Sequence, residues 1–365
     1  MDIVPLSELE QYTPCLFDTQ STQLPERVNA AANSKGLWID PVQFLTLING
    51  LALAHWACTV ALLWSQRLHP VLPPARHPGG APQVYTDETV LLAMLVLRAW
   101  RLSLEKIAEW LPRYRALAVA LGMSADGPTI SAAQLSRRSR QLGLWPYFFF
   151  FIALVWQLLR VGAISGRQLI LDGSLLKAWY RRDPDAALAG RRRGPPTYGY
   201  KIHAVVDRWS YLPLLFVITP ASVHEMAMAA LLLLAAVLLY GLRVSVVYAD
   251  SAYFSTPFIW LIRRLGAIPI IDYNLRRQGK RFLATLFFLD QWRRMRGPRT
   301  VIERCFAFLK RYYGLKHFQV EGLPAVWRHA LMVHAAMLAV ALIAYRAGRP
   351  DLMTRRAQVL AFVTN

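Results

Sequence analysis

QLILD, residues 168–172, is a short apolar run ending in an acid, and VSVVYAD at 244–250 repeats that arrangement. A brief apolar run bounded by turn signals reads as a buried strand. Asp172 and Asp250 then stand at the C-terminal ends of two strands. If those strands are neighbours, both carboxylates emerge at one edge of a sheet. Taken singly, an acid at a strand end is usually a turn residue or a helix cap; the pair is what raises interest.

Between these runs, YKIHAVV (200–206) and YLPLLFVI (211–218) flank Asp207–Arg208–Trp209–Ser210, a hairpin turn, and an apolar helix covers 223–240. A helix at 256–265 and a strand at 267–272 come next, then a basic stretch, 275–299, and a helix at about 299–314. Pro324 opens a last helix to about Tyr345, ahead of a tail, 348–365. Two strands, a hairpin return and alternating helices predict an α/β fold, a mixed sheet covered on both faces.

Upstream the pattern is helical. Residues 1–67 are partly helical and have no assigned role, and 68–82 form a Pro-rich linker. Thr86 can cap a helix to Trp100, with Asp87 and Glu88 on the favourable side of its dipole. Ser103 can cap 104–111, stopped by Pro112; a segment at 114–121 follows. Thr129 can cap 130–142, which carries Arg137, Arg138 and Arg140, and another helix covers 147–161. These short helices suggest a helix-turn-helix-like DNA-binding domain over 83–145, ahead of a catalytic domain over 146–347. An ordinary bundle with a solvated basic face fits the same pattern.

Lys and Arg number 42 against 22 Asp and Glu, a net charge of +20. Such an excess implies a polyanionic partner, nucleic acid or an anionic membrane; a basic proteome could explain part of it, but not clusters such as 181–193 or 293–311. The chain is 55% apolar with a mean hydropathy of +0.28, so a polytopic membrane protein is the competing class. A span needs roughly 20 apolar residues. Only 44–64 reaches that length, and it holds Asn49 and His55; 147–159, 226–240 and 331–345 read as helices buried in a core. No charged start and cleavage site mark a signal peptide. Cys15, Cys58 and Cys305 are scattered, as are the eight histidines, which argues against a zinc ribbon or disulfide framework.

The helix at about 299–314 carries Glu303, with Arg299 four residues before it, Arg296 seven before and Lys310 seven after. At about 3.6 residues per turn these side chains share one narrow stripe, while Val301, Ile302, Cys305, Phe308 and Leu309 can face the protein. Such spacing is the usual mark of a salt-bridge ladder. Following two strand-end aspartates, it also suits a catalytic centre. Three carboxylates from separate elements can hold two divalent ions about 4 Å apart, one activating a water or 3′-hydroxyl, the other stabilising the leaving oxygen. Hard oxygen ligands select Mg²⁺ or Mn²⁺ over zinc, and Arg299 and Lys310 would hold phosphates nearby.

Lys177 and the loop 181–201 could track a DNA backbone, as could Arg276, Arg277, Lys280 and Arg281; a solvated basic surface reads equally well. His224–Glu225 ends a strand and could lie near the metals, but reads first as a cap on the 223–240 helix; Asp272 reads as structural, and Trp179 and Tyr253 as packing residues.

Residues 299–310, RTVIERCFAFLK, resemble the Arg-x3-Glu-x6-Lys part of the Tyr-x2-Arg-x3-Glu-x6-Lys motif of DDE transposases from bacterial insertion sequences, with Arg296 in the tyrosine position. LDGSLLKAW (171–179), YGYKIHAVVD (198–207), TPASVHE (219–225), YADSAYFS (248–255) and FLKRYYGLKHF (308–318) resemble further stretches of that family, in order, so that the resemblance covers roughly 85–320. It implies an RNase H-like core with Asp172, Asp250 and Glu303 as catalytic metal ligands, and two Mg²⁺ or Mn²⁺ ions per site. It further implies cleavage at transposon ends, transfer of the 3′ ends to target DNA, and a homodimer on paired terminal inverted repeats in the bacterial cytoplasm. No membrane and no small-molecule cofactor is expected.

Overall fold

The computed structural model describes residues 36–68, 84–189, 196–271 and 300–361. The linker beyond Leu68, Asp272 and the basic stretch 275–299, with Arg276, Arg277, Lys280, Arg281, Arg296 and Arg299, lie outside the described residues. Two compact units form, one from residues up to Gln157 together with those from Ala330, the other from Leu158–His329.

The first unit opens with α1 (Pro41–Asn49) and α2 (Leu53–Leu68) where one apolar segment was expected at 44–64. Asp40 and Gln43 close a capping box around Pro41, and Ala52, at φ 50, breaks the chain so that the helices bend by 54°. Next come α3 (Asp87–Trp100), α4 (Leu104–Arg113) and α5 (Arg115–Ala120). Thr86 and Ser103 cap α3 and α4 as expected, but Pro112 sits inside the last turn of α4 rather than ending it early. α6 (Ala132–Gln141) is capped by Ser131, not Thr129, because Gln134 three residues on completes a capping box. α7 (Trp145–Arg160) follows.

The second unit is built on β1 (Gln168–Lys177), β2 (Ala187–Leu188), β3 (Tyr198–Asp207) and β4 (Pro213–Pro220). α8 (Glu225–Tyr240), β5 (Val246–Ala249), α9 (Thr256–Arg264) and β6 (Ile268–Ile271) complete its alternation. The sheet runs β2-β3-β1-β5-β6, with β4 also beside β3. β1, β3 and β4 pair antiparallel, whereas β1, β5 and β6 pair parallel. An antiparallel meander continued by two parallel strands around a central β1 is the RNase H-like mixed sheet, within an α/β fold preceded by a helical region.

Two strands differ from expectation. β1 does not stop at Asp172, because β3 stays paired with it as far as Lys177 opposite Gly199. Only its β5 side ends early, at Leu171 opposite Ala249. β4 begins at Pro213 rather than Tyr211, since Tyr211 adopts the left-handed φ of 62 that a strand cannot use. The β3–β4 turn is fixed by the buried carboxylate of Asp207. One oxygen accepts from Ser165 Oγ and Gly166 N, the other from Trp209 N, Ser210 N and Ser210 Oγ, at 2.9–3.2 Å. Five donors compensate for burying the charge.

α10 (Thr300–Tyr312) packs on β1, and α11 (Leu323–Arg346) leads back into the first unit, which closes with the short α12 (Arg356–Val359). In α8 only one side is covered, by Ala229, Leu232, Leu233 and Ala236, while Leu231 and Leu238 are exposed. The expectation of a helix buried on most sides does not hold there. α11, the last helix expected from Pro324, is with its 24 residues long and apolar enough to cross a membrane by length and composition, although its apolar run 331–345 alone is too short. In this fold, however, 89% of its most apolar window is buried within the protein. That burial is the property of a core helix.

Candidate active site

Leu171 and Ala249 are the last paired residues of the parallel strands β1 and β5. Neighbouring strands lie about 4.8 Å apart, so Asp172 and Asp250, the next residue on each, follow the end of the shared pairing side by side. Local chemistry sets both carboxylates. Asp172 is half-buried and its Oδ1 accepts from Gly173 N at 2.8 Å. Asp250 caps the 3-10 turn Ser251–Tyr253, accepting from Ala252 N through Oδ1. The helix-cap reading of Asp250 thus holds.

Side chains alternate along β1, placing Asp172 and Ser174 on one face and Gly173 and Leu175 on the other. On the Gly173 face, Lys201, paired across the strands with Leu175, meets the first turn of α8. Its Nζ lies 3.0 Å from Glu225 Oε1 and donates to the Val223 carbonyl at 2.8 Å. Burial alone would raise the Glu225 pKa, but a backbone hydrogen bond and Lys201 outweigh it and hold the carboxyl below its ordinary value. His224, as expected, caps α8 through Nδ1. Tyr253 is buried as expected, and burial together with the charges of Asp172, Glu225 and Asp250 pushes its hydroxyl pKa up. Trp179, by contrast, is exposed and not a packing residue.

On the Asp172 face lies α10. Val301, Ile302, Cys305, Phe306 and Leu309 are buried and Glu303 is exposed, as the helical stripe predicts; Phe308 is only half-buried. Lys310 Nζ donates to Ser174 Oγ at 2.7 Å and to the Leu175 carbonyl at 3.1 Å. Burial, aided by the Lys316 charge, lowers its pKa. Its ammonium therefore braces β1 two residues beyond Asp172, where a lysine holding phosphate was expected.

The structure brings Asp172 and Asp250 together but does not gather Glu303 with them. Among the described residues, no three His, Cys, Asp or Glu side chains have metal-binding spacing. Glu303 lies in the first turn of α10, directly after the residues outside the description. Two half-buried carboxylates on adjacent strands, where their shared pairing ends, supply the oxygen donors a hard divalent cation takes, so the pair fits such an ion, with the third ligand not in place. Arg296 and Arg299 lie outside the described residues, and Lys177 is exposed at the end of β1. Arg137 and Arg140 are exposed on α6, whereas Arg138 is committed to Asp87 at 2.6 Å and to the Tyr85 carbonyl at 3.4 Å. Arg138 is a packing residue, not a free DNA contact. Lys201 and Ser174 are neighbours that sequence reasoning left out, and Glu225 is one that it weighed but read as a cap; the signal was Gly173, since glycine within a strand marks close approach of another group.

Residues 165–339 match the family model described as "Transposase DDE domain". The matched segment contains Asp172, Asp250, Glu303 and Lys310. No curated protein matches the chain. Among solved structures, the Mos1 transposase paired-end complex with left transposon end is 12% identical, covering 68% of this chain and 87% of that one, with a TM-score of 0.21. A pre-cleavage Mos1 transpososome is 11% identical over 81% of this chain and 98% of that one, also with a TM-score of 0.21. The Mos1 mariner paired-end complex with Mn is 16% identical over 68% and 87%, with a TM-score of 0.20. At such TM-scores the fold rests on the strand order itself.

Proposed function

We propose that this chain is a DNA transposase that cuts phosphodiester bonds at the ends of a mobile DNA segment and joins the freed 3′ ends to target DNA. The observation that carries the reading is the register of β1 and β5, which puts Asp172 and Asp250 next after paired residues, within the segment that matches the transposase DDE domain model. Asp172 and Asp250 would hold Mg²⁺ or Mn²⁺, with Glu303 as the third ligand. A pair of such ions supplies charge neutralisation at the phosphate and lowers the pKa of an attacking water or hydroxyl. In hydrolysis the water oxygen bonds to phosphorus and the P–O3′ bond breaks, leaving a 3′-hydroxyl. In joining, that hydroxyl attacks a target phosphate and displaces a target 3′ oxygen. The aspartates' work is positioning and charge, the main requirement of phosphoryl transfer.

Arg137 and Arg140 on α6 would contact DNA phosphates, as would Lys177, Arg296 and Arg299. Duplex DNA is the polyanion that a net charge of +20 calls for, and a homodimer would hold two ends. The test is an assay with Mg²⁺ and DNA carrying candidate ends. Cleavage followed by joined products supports the reading; cleavage without joining would make the protein a nuclease, and no cleavage would sink both.

A further inference from the structure

We propose that the Lys201–Glu225 ion pair is a positioning element of the Asp172–Asp250 centre, clamping the start of α8 behind both aspartates and so fixing the spacing at which they hold a divalent cation. The inference rests on the metal-holding role of the aspartates proposed above.

Glu225 approaches β1 directly behind the reacting face. A Cβ on Gly173 would lie 3.4 Å from Glu225 Cγ and 3.6 Å from Lys201 Cδ. These distances are ordinary contact, so the pair already sits against the backbone of the residue that follows Asp172. Lys201 is anchored twice, on Glu225 at 3.0 Å and on the Val223 carbonyl at 2.8 Å, tying β3 to the β4–α8 connection. α8 also packs on the turn Ser251–Tyr253 that Asp250 caps. The same helix thus meets the chain just after each aspartate, with its first residue, Glu225, behind Gly173. The two charges are 11% and 18% exposed, so the pair is poorly hydrated, and breaking it forces the survivor to move or take up water. The influence of Glu225 as well as both aspartates on the Tyr253 hydroxyl agrees with this closeness.

Two physical accounts predict opposite signs for one variant. If Lys201 and Glu225 acted only through their charges, Lys201→Met would remove a competing cation and tighten metal binding, while Glu225→Gln would weaken it. If they position the aspartates, both variants weaken it. Outer-sphere partners of metal ligands typically contribute about 10–100-fold in affinity.

The measurement is Mn²⁺ binding to the full chain by calorimetry, with circular dichroism and thermal unfolding confirming that each variant folds. We expect Lys201→Met and Glu225→Gln each to weaken Mn²⁺ about tenfold. The double variant should be no worse than the poorer single one, because the residues act as a unit. Lys201→Arg and Glu225→Asp should recover part of the loss. Unchanged or tighter binding in Lys201→Met, with Asp172→Asn weakened, overturns the positioning role and leaves the aspartate reading standing. No Mn²⁺ binding in the wild type, or binding indifferent to Asp172→Asn, overturns the aspartate reading and the clamp with it.

Discussion

Asp172 and Asp250 follow immediately on Leu171 and Ala249, the last residues that β1 and β5 share in register. The 78-residue separation in sequence disappears at the sheet edge, because the parallel pairing ends on both strands one residue before the acid. β1 itself continues to Lys177 against β3, so Asp172 projects from a strand still held on one side. A carboxylate held this way is placed by backbone hydrogen bonds, not by a mobile loop.

Glu303 separates chemistry from folding. It is exposed, and exposed substitutions usually stay within about 0.5 kcal/mol. Glu303→Ala should therefore leave the unfolding midpoint in place while DNA cleavage with Mg²⁺ falls below detection. Cleavage at the wild-type rate would remove Glu303 from the site.

Lys310 should behave as a brace. Its ammonium makes hydrogen bonds to Ser174 and to the Leu175 carbonyl, and such charge-assisted bonds are worth about 1.5–3 kcal/mol each in favourable cases. Lys310→Met is expected to lower stability by about 1–2 kcal/mol. The salt dependence of DNA binding should change little, where loss of a phosphate contact would reduce its slope by about one.

Three arginines of α6 should divide. Arg137→Ala and Arg140→Ala are expected to weaken DNA binding and lower its salt slope by about one each, with stability unchanged. Arg138→Ala breaks the pair with Asp87 and should cost stability, about 1 kcal/mol for a partly exposed pair, with a smaller effect on binding. Salt titrations of binding and denaturant unfolding check both halves.

Acid should loosen the sheet through His203. It is buried with Nε2 3.0 Å from Thr219 Oγ1, and burial, then the charge of Lys201, lowers its pKa to about 4. The unfolded chain takes up the proton near pH 6.5, and the folded one only near pH 4. Stability is therefore fully present above about pH 6.5 and is lost as pH falls toward 4, where the loss levels off. Thermal unfolding from pH 8 to 4 should show this decline, and His203→Gln should flatten it.

How much of this was legible in sequence depended on the range of the interactions. QLILD and VSVVYAD announced two buried strands carrying acids at their ends, but that the strands are neighbours came only from the β1–β5 pairing. The alternating exposure of α10 followed from helical spacing alone. The extension of β1 past Gly173 was hidden, because a glycine interrupts the apolar run and the pairing that sustains it comes from β3, residues 199–207. Arg138 looked like its neighbours because its partner, Asp87, lies 51 residues upstream. The extent of α11 was legible, because Pro324 marks its start and the apolar run 331–345 its body. Lys201 and Glu225 met only through Gly173, a signal without direction until the sheet was folded.

The central claim is that Asp172 and Asp250 together hold the ions that cut DNA. Its most direct measurement is Mg²⁺-dependent cleavage of end-bearing DNA by Asp172→Asn and Asp250→Asn beside the wild type, with folding and DNA binding followed on the same samples. The account predicts cleavage by the wild type and loss of roughly 10³-fold or more in each variant, with folding intact and binding retained. Cleavage by either variant at near the wild-type rate would contradict it.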